Sequence, residues 1–484
     1  MTAAGTGARP GDPPAPGGRR SWWLREALEA EGEVAEAPPL EGETDADVAI
    51  IGGGYSGLWT AWFLTERVPG TRIVVLEEDI CGGGPSGRNG GFVHGWWESL
   101  GYLTEQYGAA AAVAISRAAD EVVDGIGDWC EANGVDAWYT KAGYLRVNAF
   151  PRRGPDWDEE VARVREVGEA GQLVPMSRDA VQAICASPAF REGLMMPTAA
   201  SVQPARLARG LRRVLLERGV RIHEGTRVRA MHDVAGPLQL ETDNGGRVFA
   251  DQAVLAINAW AGGWPGFRTR VLGWGSYIVL TEPIPERLAE LGWTGGELLS
   301  DSRFTISYFR TTRDGRIAFG AGVGAAGFDG RIGATYTHDA HAVEHVVRNF
   351  RHLLPMLADV RFEDAWGGPI DITGHRMPEI GSSHRGRLHF AHGFAGNGVG
   401  PARLAGRALA ALVDGAGNPS VAALPFVGPR QPFLPPEPIR FIGARIVREA
   451  LIREDDALDA GRRPAWFLKL IARIPRLFGY RLGH

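Results

Sequence analysis

From Asp47 to Leu58 the chain reads DVAIIGGGYSGL, an apolar run broken by three consecutive glycines and followed by residues that can start a helix. Gly52, Gly54 and Gly57 fill the GxGxxG positions of a phosphate-binding turn. The first permits a tight turn, the second lets backbone approach a pyrophosphate, and the third lets the helix pack close to its sheet. Tyr55 and Ser56 lie between them, at the helix start, where free N–H groups attract phosphate. A second apolar run, RIVVLEE, ends at Glu77, twenty residues after Gly57. A carboxylate there can accept hydrogen bonds from both ribose hydroxyls of a dinucleotide.

Two more stretches carry polar groups beside glycine. GPSGRNGGF, Gly84 to Phe92, combines Ser86, Arg88, Asn89 and the pair Gly90 and Gly91 in one loop. Such a loop can donate to phosphates and ring heteroatoms while admitting close backbone approach; an ordinary polar turn has the same composition. GFAGNGVGPARLAGRALAALV contains Gly396, Asn397, Gly398 and Val399 and delivers Pro401 to a helix's first position, where its missing N–H costs nothing. The positive end of that helix faces whatever lies before it, or is capped by its own turn.

Stepping outward, DVAII is apolar on both faces, as a strand inside a parallel sheet requires. The helix YSGLWTAWFLTERV places Leu58, Ala61, Trp62 and Thr65 on one face and stops at Pro69 and Gly70. Two further GxGxxG matches lack this context. Gly82 to Gly87 has no free strand before it and carries Pro85 inside the loop, and Gly322 to Gly327 runs into FDGRIGATYTH with no helix. A second nucleotide unit is therefore not expected. At 484 residues and 44% hydrophobic, the chain can bury a large core in two or more domains. A net charge of −5 with both signs intermixed argues against a nucleic-acid binder. Cys81, Cys130 and Cys185 have no metal or redox spacing and fit a reducing compartment. No apolar run reaches a membrane span, and RRSWWL fails as an export signal, so the cytoplasm is the expected location.

Taken together, DVAIIGGGYSGLWTAWFL and VVLEEDICGGGPSGRNGG resemble the N-terminal signature of the FAD-dependent oxidoreductases of the D-amino acid oxidase superfamily. VQPARLARGLRRVLLERGVRIHEGTRV resembles the family's helix and strand that bring backbone, here at Val228, to the adenine. ADQAVLAINAWAG, YFRTTRDGRIAFGAG, AWGGPIDITGHRMPEIG and the Gly396 region follow in the family's order. The lead-in SWWLREAL, the GPSGRNGG loop and GDWCEANGVDA resemble most the branch of gamma-glutamylputrescine oxidase and the aminophosphonate oxidoreductases. The resemblance implies FAD and places Gly398, Val399 and Gly400 at the flavin's N1–C2=O edge, as an oxyanion hole for the reduced ring. Relatives that attach FAD covalently use a cysteine near the position of Gly367 and Gly368, or a histidine in the loop of Ser86 to Gly91. Neither is present, so FAD is expected to be noncovalent. Some oxidases of the superfamily hold a lysine near the flavin that promotes reaction with oxygen. The comparable loop here, GAAGFDGRIG, offers Arg331 instead.

The expected architecture is α/β: a Rossmann-type FAD-binding domain from residues 47–135, 190–265 and 363–425, interleaved with an α+β substrate domain from 136–189 and 266–362 built on a mainly antiparallel sheet. Residues 1–46 read as a disordered leader and short helix, and 426–484 as a linker and basic tail. The resemblance implies oxidation of a small amine or amino acid by hydride transfer to flavin N5, giving an imine that hydrolyses, with oxygen or another electron acceptor. The alternative is a dehydrogenase of a hydroxy acid or secondary amine using a quinone or other non-oxygen acceptor. Candidate pocket residues are Tyr308 and Arg310, which share a strand face, and His94 beyond the glycine loop. An arginine there would grip an acidic substrate; each of the three has a plain packing role as its alternative. His338, His341 and His345 in HDAHAVEH read as a solvated helix face, and no metal is expected. The tail's interleaved aromatic and cationic residues fit a membrane-surface helix or a segment packed on the domain, and Pro475 is expected to interrupt its helix.

Overall fold

The computed structural model describes residues 20–150, 157–324, 326–415, 424–428 and 432–481. The leader expected to be disordered lies outside the described residues, apart from its last member. Helix α1 (Trp22–Glu31) follows at once, capped by Ser21, whose hydroxyl accepts from Leu24 N at 3.2 Å and donates to Gly87 O at 2.5 Å. The N-terminal helix thus braces the glycine loop.

The first sheet has a parallel core. Strands β1 (Glu43–Ile51) and β2 (Ile73–Leu76) lie between Arg247–Leu255 on one side and Arg221–His223 on the other, with Leu388–His392 beyond Arg247–Leu255. Antiparallel additions, Glu379–Ser383 and the pair Val228–His232 and Leu238–Thr242, extend it. Val48, Ile50, Ile73 and Val75 pack into one cluster with α2 (Tyr55–Arg67), α3 (Pro204–Glu217) and α4 (Val399–Asp414), while Ala49, Ile51, Val74 and Leu76 pack into another with Val248 and Phe267. Burial on both faces is what the continuous apolar run implied.

The second sheet is mainly antiparallel, also as expected. It carries β3 (Leu272–Thr281), β4 (Ser307–Thr311), β5 (Ile317–Ala321) and β6 (Phe362–Ile372) in the order β6-β3-β5-β4. Leu298–Ser300, Tyr144–Val147, Gly193–Met196 and Val174–Met176 continue it. Two of these strands differ from the expected division: the sequence reading places β6 and Gly193–Met196 in the FAD-binding part, yet both pair within this sheet. Sheet membership follows the partner strand, and a local apolar pattern carries no record of the partner.

Beyond the second sheet, α5 (Ile439–Asp459) and α6 (Trp466–Leu477) form a hairpin docked onto it. The buried Asp455 accepts from Phe304 N at 3.2 Å, Thr305 N at 2.9 Å and Thr305 Oγ1 at 2.7 Å. Arg303 pairs with Asp459 at 3.0 Å, and Arg448 Nε donates to Val323 O at 2.9 Å. Pro475, expected to break the helix, sits in its last turn, where α6 ends within two residues. The three cysteines are buried and free. Among the described residues no helix is long and apolar enough to cross a membrane.

Candidate active site

At the carboxyl end of β1 the chain turns through Gly52 with φ 109°, and a Cβ there would lie 2.4 Å from Ala256 O. Gly57 is equally constrained: a Cβ would meet Gly52 O at 2.0 Å, so only glycine lets α2 start against the turn. The α2 N-terminus then opens on a cavity of about 1430 Å³, lined by Gly52, Gly54, Tyr55 and Ser56 and, just after β2, by Glu77. Glu77 Oε2 accepts from Gly53 N at 2.7 Å and Oε1 from Asp79 N at 2.9 Å. Burial nonetheless pushes its carboxyl up to about 7. The Tyr55 side chain leaves the cavity: its hydroxyl donates to Pro204 O at 2.7 Å, tying α2 to α3. Val228 lines the far part of the same cavity.

The glycine loop forms the next wall. Ser86 Oγ accepts from Tyr55 N at 2.9 Å, so the hydroxyl reaches the helix start across 31 residues. Asn89 holds the loop itself, with Nδ2 donating to Pro85 O at 3.1 Å and Oδ1 accepting from Gly91 N at 2.7 Å. Arg88 donates to Gly83 O at 3.0 Å and Gly367 O at 3.2 Å, and Trp366 Nε1 donates to the Arg88 carbonyl at 2.9 Å. Gly91, at φ 75°, lies behind the wall, where a Cβ would be 2.0 Å from Val202 O.

The third wall is the start of α4. Gly398 and Val399 line the nucleotide cavity with Gly396, whose φ is 91°. The turn is held by Asp371 of β6: its Oδ2 accepts from Gly393 N at 2.6 Å and its Oδ1 from Phe394 N at 3.1 Å. Burial lifts the Asp371 carboxyl to about 6. No sequence signal marked Asp371, although the segment containing it, GGPIDITGHRMP, resembled the family's flavin-binding block.

A second cavity, of about 750 Å³, adjoins the first. Pro85, Arg88, Asn89, Pro369, Ile370, Phe394, Gly396 and Val399 line both, so the two share a wall. Gly90 and Asn397, read from sequence as cofactor contacts, line only the second. A Cβ on Gly90 would lie 2.9 Å from the Tyr308 ring. Tyr308 lines this cavity and shares a 2.9 Å hydrogen bond with Ser276 Oγ. His94 lines it too, from a short strand paired with Ala199–Ser201. Its Nδ1 is 3.0 Å from Gly95 O, a carbonyl that can only accept, which leaves Nε2 with the lone pair. Burial holds the ring below the usual histidine range and therefore neutral.

Arg310 is placed differently from the expectation. It shares the Tyr308 face of β4, but its guanidinium passes behind Gly91, donates to Val202 O at 2.7 Å and stacks 4.9 Å from the Trp23 ring. It lines neither cavity. Strand alternation gave the face correctly; the length of the side chain and the position of α1 decided where the charge ended. The basic groups that do line the second cavity include Arg146, Arg376 and Arg481. Arg146 is paired with Glu98 at 2.7 Å. Arg481 comes from the segment after α6, within the basic tail expected from the sequence. Arg331 lines the nucleotide cavity, and the chain's two lysines, Lys141 and Lys469, line neither.

A dinucleotide cavity shares a wall with a second pocket, and comparison with known proteins assigns the chain to a family. The model of the family "FAD dependent oxidoreductase" matches residues 47–412. The chain belongs to that family. It is 30% identical to the probable oxidoreductase OrdL of Rhizobium meliloti, over 78% of this chain and 85% of the relative. It is 28% identical to gamma-glutamylputrescine oxidoreductase of Escherichia coli, over 76% and 84%. In fold it is similar to glycine oxidase from Geobacillus kaustophilus, with a TM-score of 0.62 at 21% identity, covering 76% of this chain and 95% of that one. The protein is an FAD-dependent oxidoreductase, and its residues fit the cofactor. The Gly52 cradle and the α2 N-terminus suit the pyrophosphate and Glu77 the ribose. The buried Asn258 Oδ1, on the cavity wall, has no hydrogen-bond partner among the described residues. Helices α5 and α6 lie outside the matched residues and nevertheless line the second cavity.

Proposed function

We propose that this oxidoreductase oxidises a small amine or amino acid, and the observation that carries the reading is the wall shared by the two cavities. Bound FAD supplies a hydride acceptor at N5. The chain's own groups must bind the amine, exclude water and remove a proton from the nitrogen. His94 supplies the base: with Nδ1 held by Gly95, a neutral ring offers Nε2 to a bound ammonium. The uncharged amine then places its lone pair behind the carbon that gives up hydride, and the resulting imine is hydrolysed by water. Tyr308, fixed to Ser276, orients the substrate across the ring from Gly90. The turn at Gly398 and Val399 aims N–H groups of α4 at developing negative charge. Anaerobic mixing of the holoenzyme with alkylamines, amino acids and hydroxy acids tests the reading. Bleaching of the flavin band by the nitrogen compounds alone is expected; bleaching by hydroxy acids alone overturns it.

A non-oxygen acceptor is supported by the lysine-free cavities, and reoxidation by a quinone faster than by air would establish it. Peripheral membrane contact is supported by one face of α6, where Trp466 is 76% and Leu477 81% exposed beside Lys469, Arg473 and Arg476. Co-sedimentation with anionic but not neutral vesicles is the expected result. The free buried thiols support a cytoplasmic location.

A further inference from the structure

Arg376 sits in the turn between β6 and Glu379–Ser383 with φ 55°, a left-handed conformation unfavourable for a residue with a side chain. Its guanidinium lines the second cavity, and among the described residues it has no carboxylate and no hydrogen-bond acceptor. Arg481 stands beside it. The Arg481 backbone N–H donates to Gly374 O at 2.9 Å, pinning the end of the chain to the same turn. Its Nη2 donates to Ser99 Oγ at 3.1 Å, and its guanidinium lies 4.1 Å from the Tyr102 ring. Neither contact neutralises charge. The acid lining this cavity, Glu98, is paired with Arg146 at 2.7 Å, and its charge also reaches Arg481.

Three arginines, Arg146, Arg376 and Arg481, thus share the one carboxylate of Glu98 among the described residues of this cavity, and such an excess of buried positive charge is expensive. Burial and the neighbouring Arg481 hold Arg376 down at about 10. Removing the cost takes an anion with at least two oxygens, which paired guanidinium groups bind well. The position of the pair fixes where on a substrate that anion lies. Neither arginine belongs to the wall shared with the nucleotide cavity. The same cavity also presents apolar lining, including Trp96, Ile372, Met377 and Phe478, against which a methylene chain can pack.

We propose that Arg376 and Arg481 form an anion subsite for a substrate carboxylate, separated from the oxidised amine by a methylene chain. The inference rests on the amine-oxidation reading and names its substrate class: an ω-amino carboxylate rather than a 2-amino acid. It also gives the C-terminal extension a task, because the family-matched residues supply Arg376 alone and the subsite is incomplete without Arg481.

The test compares 5-aminopentanoate, pentylamine and 2-aminopentanoate as reductants of the holoenzyme flavin under anaerobic conditions. The expected apparent Kd for 5-aminopentanoate is at least about tenfold below the other two, the discrimination of one charge-assisted contact. In Arg376→Gln and Arg481→Gln the ratio of 5-aminopentanoate to pentylamine collapses toward one, and Arg481→Lys restores part of it. Arg313→Gln, at an exposed pair with Asp136, keeps the wild-type ratio. Equal affinities in the wild type, or a ratio unmoved by either variant, overturns the subsite. Calorimetry with glutarate reads the subsite without turnover: binding by wild type and loss of it in Arg376→Gln are expected. If no amine reduces the flavin but glutarate binds in this way, the oxidation reading fails and the subsite stands. If glutarate does not bind the wild type, the subsite fails.

Discussion

Glu77 shows how a single environment ties cofactor binding to pH. Burial outweighs the two backbone N–H groups that favour its charged form and lifts its carboxyl to about 7. Ribose hydroxyls donating to the carboxylate stabilise that charged form further and lower the value on binding. FAD binding therefore releases a proton, and the FAD Kd should rise as pH falls below about 7. Glu77→Gln should weaken FAD by roughly tenfold or more at pH 8, the effect of losing a hydrogen bond to a charged group, and should flatten the pH profile. Fluorescence titration of apoprotein from pH 5.5 to 8.5 measures both; an unchanged slope in the variant would place the proton elsewhere. Arg310 makes the opposite kind of residue-scale case. Its guanidinium is spent on Val202 O and the Trp23 ring. Arg310→Met should thus lower Tm, and leave KM for an acidic amine within about twofold, well short of a charge-assisted contact. A tenfold rise in KM would return Arg310 to the pocket.

Among elements, the nucleotide half of the site was legible because its determinants are local. Gly52, Gly54, Gly57 and Glu77 fall within one strand–helix–strand unit, so their spacing is visible in a single stretch, although the backbone that crowds Gly52, Ala256 O, comes from far along the chain. The start of α4 was legible for the same reason, through Gly396, Gly398 and Pro401. What holds that turn was not. Asp371 belongs to the other sheet, and its bonds to Gly393 and Phe394 span 22 and 23 residues. An Asp in an apolar strand has no periodic signature that would reveal such partners. Asp371→Asn puts an amide donor against one of two N–H donors, so the turn before α4 should re-form with a different shape. FAD affinity should drop about tenfold to a hundredfold, the range for a hydrogen bond to a charged group. The far-UV spectrum should stay the same, since β6 keeps its pairing with β3. Retention of full affinity would mean that the α4 N-terminus does not depend on this carboxylate.

On the scale of the whole molecule, the segment read as a linker and tail closes a cavity built largely by the family-matched chain. Its docking rests on contacts that no sequence pattern could announce: Asp455 meets Thr305 across 150 residues, and Arg481 reaches the turn that carries Arg376. The amphipathic pattern of α6 was visible, but a helix that buries one face on protein and one that lies on a membrane share it. Asp455 decides how firmly the hairpin is held. Burial lifts its carboxyl to about 6 when docked, above the value near 4 of a solvated aspartate. The docked state therefore takes up a proton between those values, and docking is favoured at pH 5 relative to pH 7. Limited proteolysis should cut α5 and α6 more slowly at pH 5, after correction for the protease's own pH dependence. Asp455→Asn should abolish that difference. Asp455→Ala, which strands the Phe304 and Thr305 N–H groups, should speed cleavage at both pH values and raise substrate KM while FAD stays bound. Cleavage unchanged in Asp455→Ala would show that Arg303, Arg448 and the apolar face hold the hairpin without it.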